Sequence, residues 1–312
     1  MNVVLFRDLD GATLAALRAE FPTCEFRQST SPAQLDAWLG WADALYGNAP
    51  AATLLRAPRL RWVQIVSSGF DEYSALRDSP ITATTAHGVH AAIMAQHTLM
   101  TILLFARGQL HFAARQQEKI WDRRPAIPQN LASATVGLVG YGEVGRALVP
   151  LLRPLGVRVV ATRRSAGPTP PELDELFPPA RLDDLLAISD HVVVTLPLTP
   201  ETRNILDPAR IARMKAGAVL HNIARGGLVD ETALLARLCD GSLGGAALDV
   251  FAQEPLPADC PFWTLPNVIV TPHLAGHHRE LGALTLARFK ENLRRRLAAE
   301  PLLHVADFTC GY

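Results

Sequence analysis

The sequence predicts an α/β protein with two doubly wound domains, each formed by a parallel sheet with helices on both faces. Two observations lead to this prediction. Short apolar runs alternate with helical patterns twice along the 312 residues, once before residue 100 and once after residue 134, which is the pattern of parallel sheets with crossover helices. The second series opens with a glycine-spaced turn, Gly140–Gly145. A chain of this length is also long enough for about two domains.

The first series predicts a five-stranded sheet. Its strands are expected at Val3–Phe6, Cys24–Arg27, Ala44–Tyr46, Trp62–Val66 and Ile81–Thr84. Its helices are expected at Ala12–Glu20, Pro32–Leu39 and Ala51–Arg56, with Ser31 and Asn48 as candidate caps. One long helix from Ala91 to about His111 and a loop rich in proline and arginine, Trp121–Pro128, should follow.

The second series predicts six strands, enough for a complete doubly wound sheet. They are expected at Thr135–Val139, Arg158–Thr162, His191–Thr195, Ala218–Ile223, Ala246–Val250 and Val268–Thr271. The helices between them are expected at Gly145–Leu152, Leu182–Ala187, Pro208–Met214 and Glu231–Cys239. A last helix, from about Arg279 to Leu297, and a short tail are expected to return to the first domain.

The glycine turn indicates a dinucleotide site. An apolar strand, Thr135–Val139, runs into Gly140-Tyr141-Gly142-Glu143-Val144-Gly145 and then into a helix. In such a unit the first glycine permits a tight turn, the second lets the backbone approach a pyrophosphate, and the third lets the helix pack on the strand. The predicted domains are therefore a Rossmann domain, residues 99–280, and a smaller flavodoxin-like substrate domain, residues 1–98 with 281–312.

Composition excludes several other classes of protein. Lysine plus arginine and aspartate plus glutamate both number 30, so charge gives no case for nucleic acid or an anionic membrane as a partner. The most apolar stretch, Ala91–Ala106, is too short to span a bilayer. The N-terminus lacks the features of a signal peptide, and the four cysteines are scattered and read as reduced thiols. We expect a cytoplasmic protein.

The end of the second predicted strand of the Rossmann domain bears on the choice of cofactor. An acidic residue there binds the ribose 2′-hydroxyl of NAD, whereas an arginine accommodates the 2′-phosphate of NADP. This chain has Arg163 and Arg164 and no carboxylate at that point. The alternative is that both arginines are solvated loop residues without a role in binding. Their place in the fold nevertheless favours NADP over NAD as the cofactor.

Three ionisable residues follow three predicted strands of this domain. They are Arg225, Glu254 and His273. Each alone has an ordinary structural explanation, since arginine is usually at the surface, glutamate before proline marks a turn and histidine can bond a carbonyl. Ligands in such sheets bind at the carboxyl ends of the strands, so three such residues at one edge predict a catalytic site.

The sequence resembles the D-isomer-specific 2-hydroxyacid dehydrogenase family along essentially the whole chain. The blocks that carry the resemblance are Gly140–Gly145, Leu196–Asn204, Asn222–Asp230, Leu248–Pro257 and Thr271–Gly276. Within the family it is similar to the glyoxylate/hydroxypyruvate reductase branch, because of its short chain and the arginine after the second strand. Gln96 stands where glutamate is frequent, and His90 where asparagine is frequent.

The resemblance implies the following roles. Arg225, Glu254 and His273 match the catalytic trio, and Ser68 and Gly69 match the loop that binds the substrate carboxylate together with Arg225 and His273. Asp249 matches the residue that holds the nicotinamide carboxamide. The residues implied for cofactor binding are Gly140, Tyr141, Gly142, Glu143, Val144, Gly145, Arg163, Arg164, Leu196, Pro197, Thr202, Ile223, Ala224, Asp249 and His273.

These residue types suit the reduction of a 2-oxo acid. The carbonyl oxygen gains negative charge as a hydride arrives, so it needs a proton donor, His273, oriented by Glu254. Arg225 can bind the carboxylate and polarise the carbonyl. The pocket walls are expected to include Tyr46, Phe70, Trp121 and His277, with closing of the two domains excluding water.

The leading hypothesis is an NADPH-dependent reductase of small 2-oxo acids such as glyoxylate or hydroxypyruvate. The alternatives are a dinucleotide-sensing or corepressor-like binding protein and an NADH-linked dehydrogenase for a bulkier 2-hydroxy acid. A homodimer is expected from the family, with the Ala91–His111 helix and the Trp121 loop as interface. We expect no metal site, although His87, His90 and His97 lie close together in sequence.

Overall fold

The computed structural model describes residues 1–122, 129–165 and 167–308. The contacts within the chain divide it into two compact units, Met1–Val89 with Arg279–Tyr312, and His90–His278. The predicted domain limits, 1–98 with 281–312 and 99–280, stay a prediction beside this division by contacts. Of the predicted loop at Trp121–Pro128, residues 123–128 lie outside the described residues, as does Cys310.

The first unit contains a parallel five-stranded sheet with helices on both faces. Its strands are β1 (Asn2–Leu5), β2 (Glu25–Gln28), β3 (Ala44–Tyr46), β4 (Trp62–Gln64) and β5 (Thr82–Thr84), in the order β2-β1-β3-β4-β5. Its helices are α1 (Gly11–Glu20), α2 (Pro32–Trp38), α3 (Ala51–Leu55) and, from the end of the chain, α10 (Leu281–Leu297). This strand order is the flavodoxin-like one and confirms the predicted fold class.

Alternation along β1 places its side chains on two different cores. Val3 and Leu5 pack with Leu17 of α1 and Phe289 of α10 on one face of the sheet. On the other face Val4 packs in the cluster that includes residues of α2 and α3. The chain therefore leaves β1 toward one face of the sheet and leaves β3 toward the other.

One of the two predicted helix caps in this unit is wrong. Ser31 caps α2 by accepting a hydrogen bond from the Gln34 N–H. Asn48 does not cap α3, because the residue at the N-cap position is Pro50. The Asn48 side-chain oxygen instead accepts from the Val66 N–H at 3.0 Å, which ties the loop after β3 to the end of β4.

A buried polar network attaches the last helix and the tail to the first sheet. Asn292 of α10 is fully buried, and its Nδ2 donates to Oε1 of Gln64 at 2.8 Å. The Asn292 Oδ1 accepts from the Leu303 N–H at 2.8 Å. Buried polar groups need such partners, so the sheet, helix and tail specify one another.

The second unit contains a parallel sheet of seven strands. They are β6 (Thr135–Val139), β7 (Arg158–Thr162), β8 (Glu175–Phe177), β9 (His191–Val194), β10 (Val219–Asn222), β11 (Gly245–Leu248) and β12 (Val268–Val270), in the order β12-β11-β10-β9-β6-β7-β8. This is the Rossmann order extended by β12. The prediction of six strands was wrong because it omitted β8, a three-residue edge strand with only Phe177 buried.

The helices of the second unit correct another prediction. They are α4 (Ala91–Ala106), α5 (Gln109–Gln117), α6 (Glu143–Leu152), α7 (Leu182–Ile188), α8 (Pro208–Arg213) and α9 (Glu231–Cys239). The long helix expected from Ala91 to His111 is two helices, since Gly108 has a φ of 64°. That left-handed conformation ends one helix and starts the next.

Two remaining expectations concern the environment of the protein. In the described ranges, no helix is both long and apolar enough to cross a membrane. Cys24, Cys239 and Cys260, the three cysteines that the structure describes, are free thiols.

Two buried histidines form a contact inside the second unit that the sequence did not predict. His191 at the start of β9 and His221 in β10 are 1% and 0% exposed. Their Nδ1 and Nε2 atoms lie 3.1 Å apart, and Thr101 of α4 contacts the other nitrogen of His221 at 2.9 Å. Burial lowers the pKa of His191 to about 4 and lowers that of His221 well below its ordinary value.

These histidines predict a loss of stability in mild acid. Below about pH 6.5 the unfolded chain binds protons at these positions while the folded chain does not, so stability is present above that pH and falls as pH approaches 4, by about 3 kcal/mol for His191 alone. In His191→Gln, whose amide can still bond to His221, we expect a visibly smaller decrease in urea unfolding free energy between pH 7 and pH 5. His277→Gln, at an exposed histidine, is the control, and equal slopes in wild type and His191→Gln would contradict the assignment.

Candidate active site

The glycine turn lies at the switch point of the seven-stranded sheet. It follows β6, whose neighbours β7 and β9 lie on opposite sides, and ligands bind at such a point in doubly wound sheets. Gly140 has a φ of 104°, and a Cβ there would lie 2.9 Å from Leu196 Cδ2. The Thr195 hydroxyl donates to the Gly140 carbonyl at 2.8 Å, and the Thr162 hydroxyl accepts from its N–H at 3.1 Å. The ends of β7 and β9 thus hold the turn in place.

The other two glycines of the turn differ in their surroundings. A Cβ on Gly142 would meet no atom within 4 Å, whereas one on Gly145 would lie 3.0 Å from the Tyr141 ring. The open space beside Gly142 is where a pyrophosphate can approach the backbone, next to the N-terminus of α6. Gly145 is needed for close packing of that helix.

Tyr141 and the residues after β9 contribute backbone and shape to this edge. The Tyr141 ring is buried, and its hydroxyl donates to Glu172. Burial, reinforced by that carboxylate, raises the pKa of the Tyr141 hydroxyl. The Thr202 hydroxyl donates to the Pro197 carbonyl at 2.6 Å, which shapes the loop that follows Leu196.

Arg163 directly follows the strand that supports the glycine turn. Its Nε donates to the Ser165 carbonyl at 3.1 Å, and it has no carboxylate partner within the described residues. Arg163 is half-buried and Arg164 is exposed. The end of β7 is therefore a cationic position, one residue beyond Thr162.

The sheet brings the predicted trio to three consecutive strands. Arg225 follows β10, Glu254 follows β11 and His273 follows β12, and these strands are neighbours in that order. A Cβ on Gly226 would lie 1.9 Å from the Phe251 carbonyl carbon, so the loops after β10 and β11 touch backbone to backbone.

His273 and Glu254 form a direct pair. The His273 Nδ1 lies 2.7 Å from Glu254 Oε2, with both side chains partly exposed. The Glu254 Oε1 accepts from the Phe251 N–H at 2.9 Å, which fixes the carboxylate. Because Nδ1 is engaged, Nε2 is the ring nitrogen available to a ligand.

Asp249 organises the loop that carries His273. The residue is 3% exposed, and its carboxylate accepts from the Thr271 hydroxyl at 2.5 Å and from the N–H groups of Leu274 and Ala275, both at 2.9 Å. The His273 N–H donates to the Asp249 carbonyl at 2.8 Å. The sequence did not predict this role, and the contact of Asp249 with the carboxamide stays a prediction.

Arg225 is positioned by its own neighbours in the loop. Asn222 donates to the Arg225 carbonyl at 2.9 Å and accepts from the Ala224 N–H at 3.2 Å. The Arg225 Nη1 donates to the Ala224 carbonyl at 2.8 Å. Ile223 is 3% exposed, so mainly its backbone faces the edge of the sheet. Asn222 is therefore a positioning residue for Arg225. In the sequence, the only signal for this role is its place at the turn after β10.

Burial shifts the pKa of two ionisable side chains near the site, Glu231 and His97. Burial raises the pKa of the Glu231 carboxyl, and the charges of Asp230 and Glu254 add to this rise. Burial lowers the pKa of His97 against the opposing effect of the Asp249 charge. In the part of the chain that the structure describes, no cluster of three or more His, Cys, Asp or Glu side chains is arranged to hold a metal.

The predicted carboxylate loop belongs to the first unit. The Ser67 hydroxyl donates to the Gly69 carbonyl at 2.8 Å, and the Ser68 hydroxyl donates to the Ala86 carbonyl at 3.1 Å. In the described ranges, the N–H groups of Ser68 and Gly69 have no acceptor. Two such groups in sequence can bind an anion.

Two of the four predicted pocket walls are wrong. Tyr46 is fully buried, stacks on Phe289 with ring centroids 4.6 Å apart and bonds through its hydroxyl to Thr285 at 3.0 Å. Phe70 is 7% exposed and packs edge-on against Phe308. Both rings therefore belong to the core of the first unit. The prediction failed because their aromatic partners come from the distant end of the chain.

Fold and site together define a nicotinamide-dependent oxidoreductase, and comparison with known proteins identifies the family. Residues 99–275 match the family description "D-isomer specific 2-hydroxyacid dehydrogenase, NAD binding domain". An (S)-sulfolactate dehydrogenase of Chromohalobacter salexigens is 36% identical over 78% of this chain and 80% of its own. Glyoxylate/hydroxypyruvate reductase B of Yersinia enterocolitica is 32% identical over 89% of both chains.

A solved structure agrees over the whole chain. The NADPH-dependent glyoxylate/hydroxypyruvate reductase of Sinorhizobium meliloti, determined in complex with NADP and sulfate, has a TM-score of 0.86 and 31% identity, covering 100% of this chain and 99% of that one. The chain belongs to the D-isomer-specific 2-hydroxyacid dehydrogenase family and is an oxidoreductase acting on CH–OH groups.

The open space at Gly142 gives a prediction that separates binding from folding. In Gly142→Ala we expect the melting temperature to change by less than about 2 °C, because the added Cβ meets no protein atom. The Kd for NADPH should rise about tenfold or more, because that Cβ occupies the space of the pyrophosphate and weakens a hydrogen bond to it. Gly40→Ala, also at an open glycine, is the control. Unchanged NADPH affinity in Gly142→Ala, measured by fluorescence titration, would place the pyrophosphate elsewhere.

Proposed function

We propose that this protein reduces small 2-oxo acids, of the glyoxylate or hydroxypyruvate type, to D-2-hydroxy acids with NADPH. The observation that supports this most is the His273–Glu254 pair, 2.7 Å apart, on the strand edge that also carries Arg225. The relatives named as glyoxylate/hydroxypyruvate reductases support the substrate class.

The residues of the second unit suit a bound nicotinamide dinucleotide. The proposed contacts to its pyrophosphate are the N–H groups of Gly142, Glu143 and Val144 at the start of α6, where the glycine leaves room for them. Leu196, Pro197 and Thr202 after β9, and Ile223 and Ala224 after β10, form the proposed remainder of the groove. When bound, the reduced cofactor supplies the hydride.

The chain itself supplies a proton, a cation and orientation. Nε2 of His273 donates the proton to the carbonyl oxygen of the 2-oxo acid, while Glu254 holds the ring through Nδ1. Arg225 binds the substrate carboxylate and polarises the carbonyl, so the charge that develops on oxygen meets a positive group already in place. Ser68 and Gly69 are proposed as a second contact to the carboxylate through their N–H groups.

The preference for NADPH is proposed from the end of β7. Arg163 lacks a carboxylate partner in the described residues, and a guanidinium there can bind the 2′-phosphate of NADP. The Sinorhizobium meliloti reductase was determined with NADP, in line with this choice. An NADH-linked dehydrogenase acting on another 2-hydroxy acid is the second candidate, because relatives of this chain include enzymes named for sulfolactate and for 3-phosphoglycerate.

The predicted homodimer is retained as part of the proposal. Apolar side chains are exposed along α4 and just beyond α5, namely Met100 at 44%, Ile120 at 46% and Trp121 at 93%. Exposed apolar side chains of this kind suit an interaction surface where they lie together. A second copy of the chain is the proposed partner.

His273 should separate catalysis from cofactor binding. In His273→Asn we expect kcat to fall about a hundredfold to ten-thousandfold, because the proton donor is removed, with little change in the Kd for NADPH. Turnover is measured as loss of NADPH absorbance with glyoxylate and hydroxypyruvate. His304→Asn, at an exposed histidine with no proposed role in the site, is the control and should stay close to wild type. Near-normal kcat in His273→Asn would show that another group donates the proton.

Arg163 should determine the choice between the two cofactors. In Arg163→Leu we expect kcat/KM with NADPH to fall about tenfold to a hundredfold, since a charge-assisted contact to phosphate is lost, while kcat/KM with NADH changes by less than about threefold. The Arg163→Leu, Arg164→Leu double variant should extend the effect. Arg213→Leu, at an exposed arginine paired with Asp183, is the control. A higher kcat/KM with NADH than with NADPH in the wild type would overturn the NADPH proposal.

A further inference from the structure

The strand order of the first unit places a switch point between β1 and β3, at the carboxyl edge of its sheet. After β1 the chain crosses to α1 on one face, whereas after β3 it crosses to α3 on the other. Because β1 and β3 are neighbours, the two connections diverge at this point, which is the usual place for a ligand in such a sheet. Gly47 lets the backbones after β1 and β3 approach closely at this point, since a Cβ there would lie 2.5 Å from the Phe6 carbonyl oxygen.

Arg7 brings a positive charge to this switch point. Arg7 lies two residues beyond β1, and its guanidinium carbon is 5.9 Å from the centre of the buried Tyr46 ring. The Arg7 side chain therefore lies on the same face of the sheet as those of Val3 and Leu5, and it extends toward β3. In the described ranges it has no carboxylate partner. The neighbouring Asp8 is directed the other way, toward β2, where it accepts from Gln28 Nε2 at 3.3 Å.

A half-buried guanidinium that faces an aromatic ring and makes no ion pair with a described carboxylate retains its hydrogen-bonding capacity. Arginine carries five donors arranged to bind a carboxylate, sulfonate or phosphate through two parallel hydrogen bonds. The ring of Tyr46 fixes one face of the guanidinium and leaves its edge available. Arg7 can therefore bind an anion that the described residues do not supply.

We propose that Arg7 binds a second anionic group of the substrate, so that the preferred 2-oxo acids are diacids. This inference rests on the proposed function, in which Ser68 and Gly69 bind the 1-carboxylate. Those residues follow β4, two strands from β1, a separation of about 10 Å at the strand ends. The arginine side chain leans across β3 and shortens this distance, which suits the spacing of the two anionic groups in a 2-oxo acid of four or five carbons.

The test compares acids that are matched in carbon number and differ in the second charge. The pairs are oxaloacetate with 2-oxobutanoate and 2-oxoglutarate with 2-oxopentanoate, each assayed with NADPH for kcat/KM. In the wild type we expect the diacid of at least one pair to be favoured about tenfold or more. Arg7→Met keeps an unbranched stem close in length to the aliphatic part of the arginine and removes the charge, so the diacid should lose about tenfold or more in kcat/KM while the monoacid changes by less than about twofold.

Two further variants complete the design. Arg7→Lys keeps the charge and should retain part of the diacid preference. Arg27→Met is the matched control, because Arg27 also stacks on an aromatic ring, at 3.9 Å from the centre of Trp41, but lies on β2 and pairs with Glu25. It should leave both acids unchanged.

The failure of this inference can be told apart from failure of the proposed function. Equal effects of Arg7→Met on diacid and monoacid, or no effect on either, would overturn the role of Arg7 while leaving the reductase in place. If none of the four acids is reduced, calorimetric titration of the NADP⁺-loaded protein with 2-oxoglutarate and 2-oxopentanoate decides the matter. Tighter binding of the diacid that Arg7→Met abolishes supports the inference, and equal binding rejects it.

Discussion

The hydrogen bonds to the buried Asp249 carboxylate are the contacts on which the candidate site depends most. They come from the Thr271 hydroxyl and from the N–H groups of Leu274 and Ala275, so one side chain at the end of β11 determines the path of the loop after β12. His273 lies inside that loop with a φ of 52°, a conformation that costs a non-glycine residue about 1 kcal/mol or more. Three charge-assisted hydrogen bonds can offset this cost, and they hold the imidazole where Glu254 can reach Nδ1.

The sequence as a whole has equal numbers of acidic and basic residues, but positive side chains stand at particular strand ends. Arg163 after β7, Arg225 after β10 and Arg7 after β1 all stand at carboxyl ends of parallel strands. Each is assigned a different anionic group: the cofactor 2′-phosphate, the substrate carboxylate and a second substrate anion. The fold positions these cations. Within the described residues no carboxylate pairs with Arg7 or Arg163, and the proposed ligands supply that negative charge.

The positions of the candidate site residues could be predicted from the sequence because short, contiguous patterns mark them. The strands are apolar runs, and the glycine turn follows one of them. Arg225, Glu254 and His273 each follow another, and parallel strands bring such positions to one edge of the sheet. Ser31 was recognisable as a cap for the same reason, since a cap bonds within its own turn.

Features that depend on distant partners were not predictable. β8 is too short to show a period of its own, and the apolar pattern of α4 continues past the break at Gly108. Tyr46 and Phe70 look like pocket residues until α10 and the tail bring Phe289 and Phe308 against them. The contact of His191 with His221 and the donors to Asp249 join residues on different strands and loops, so no window of sequence contains them.

The most direct measurement of the central claim follows the hydride into the product. The protein is given NADPH carrying deuterium at the transferred position of the nicotinamide C4 together with glyoxylate or hydroxypyruvate, and the product is examined by NMR and chiral chromatography. A reductase that works as proposed places the deuterium at C2 of the 2-hydroxy acid and, with hydroxypyruvate, forms the D enantiomer alone. Deuterium absent from C2, or a product of mixed or L configuration, would contradict the proposed chemistry at this site.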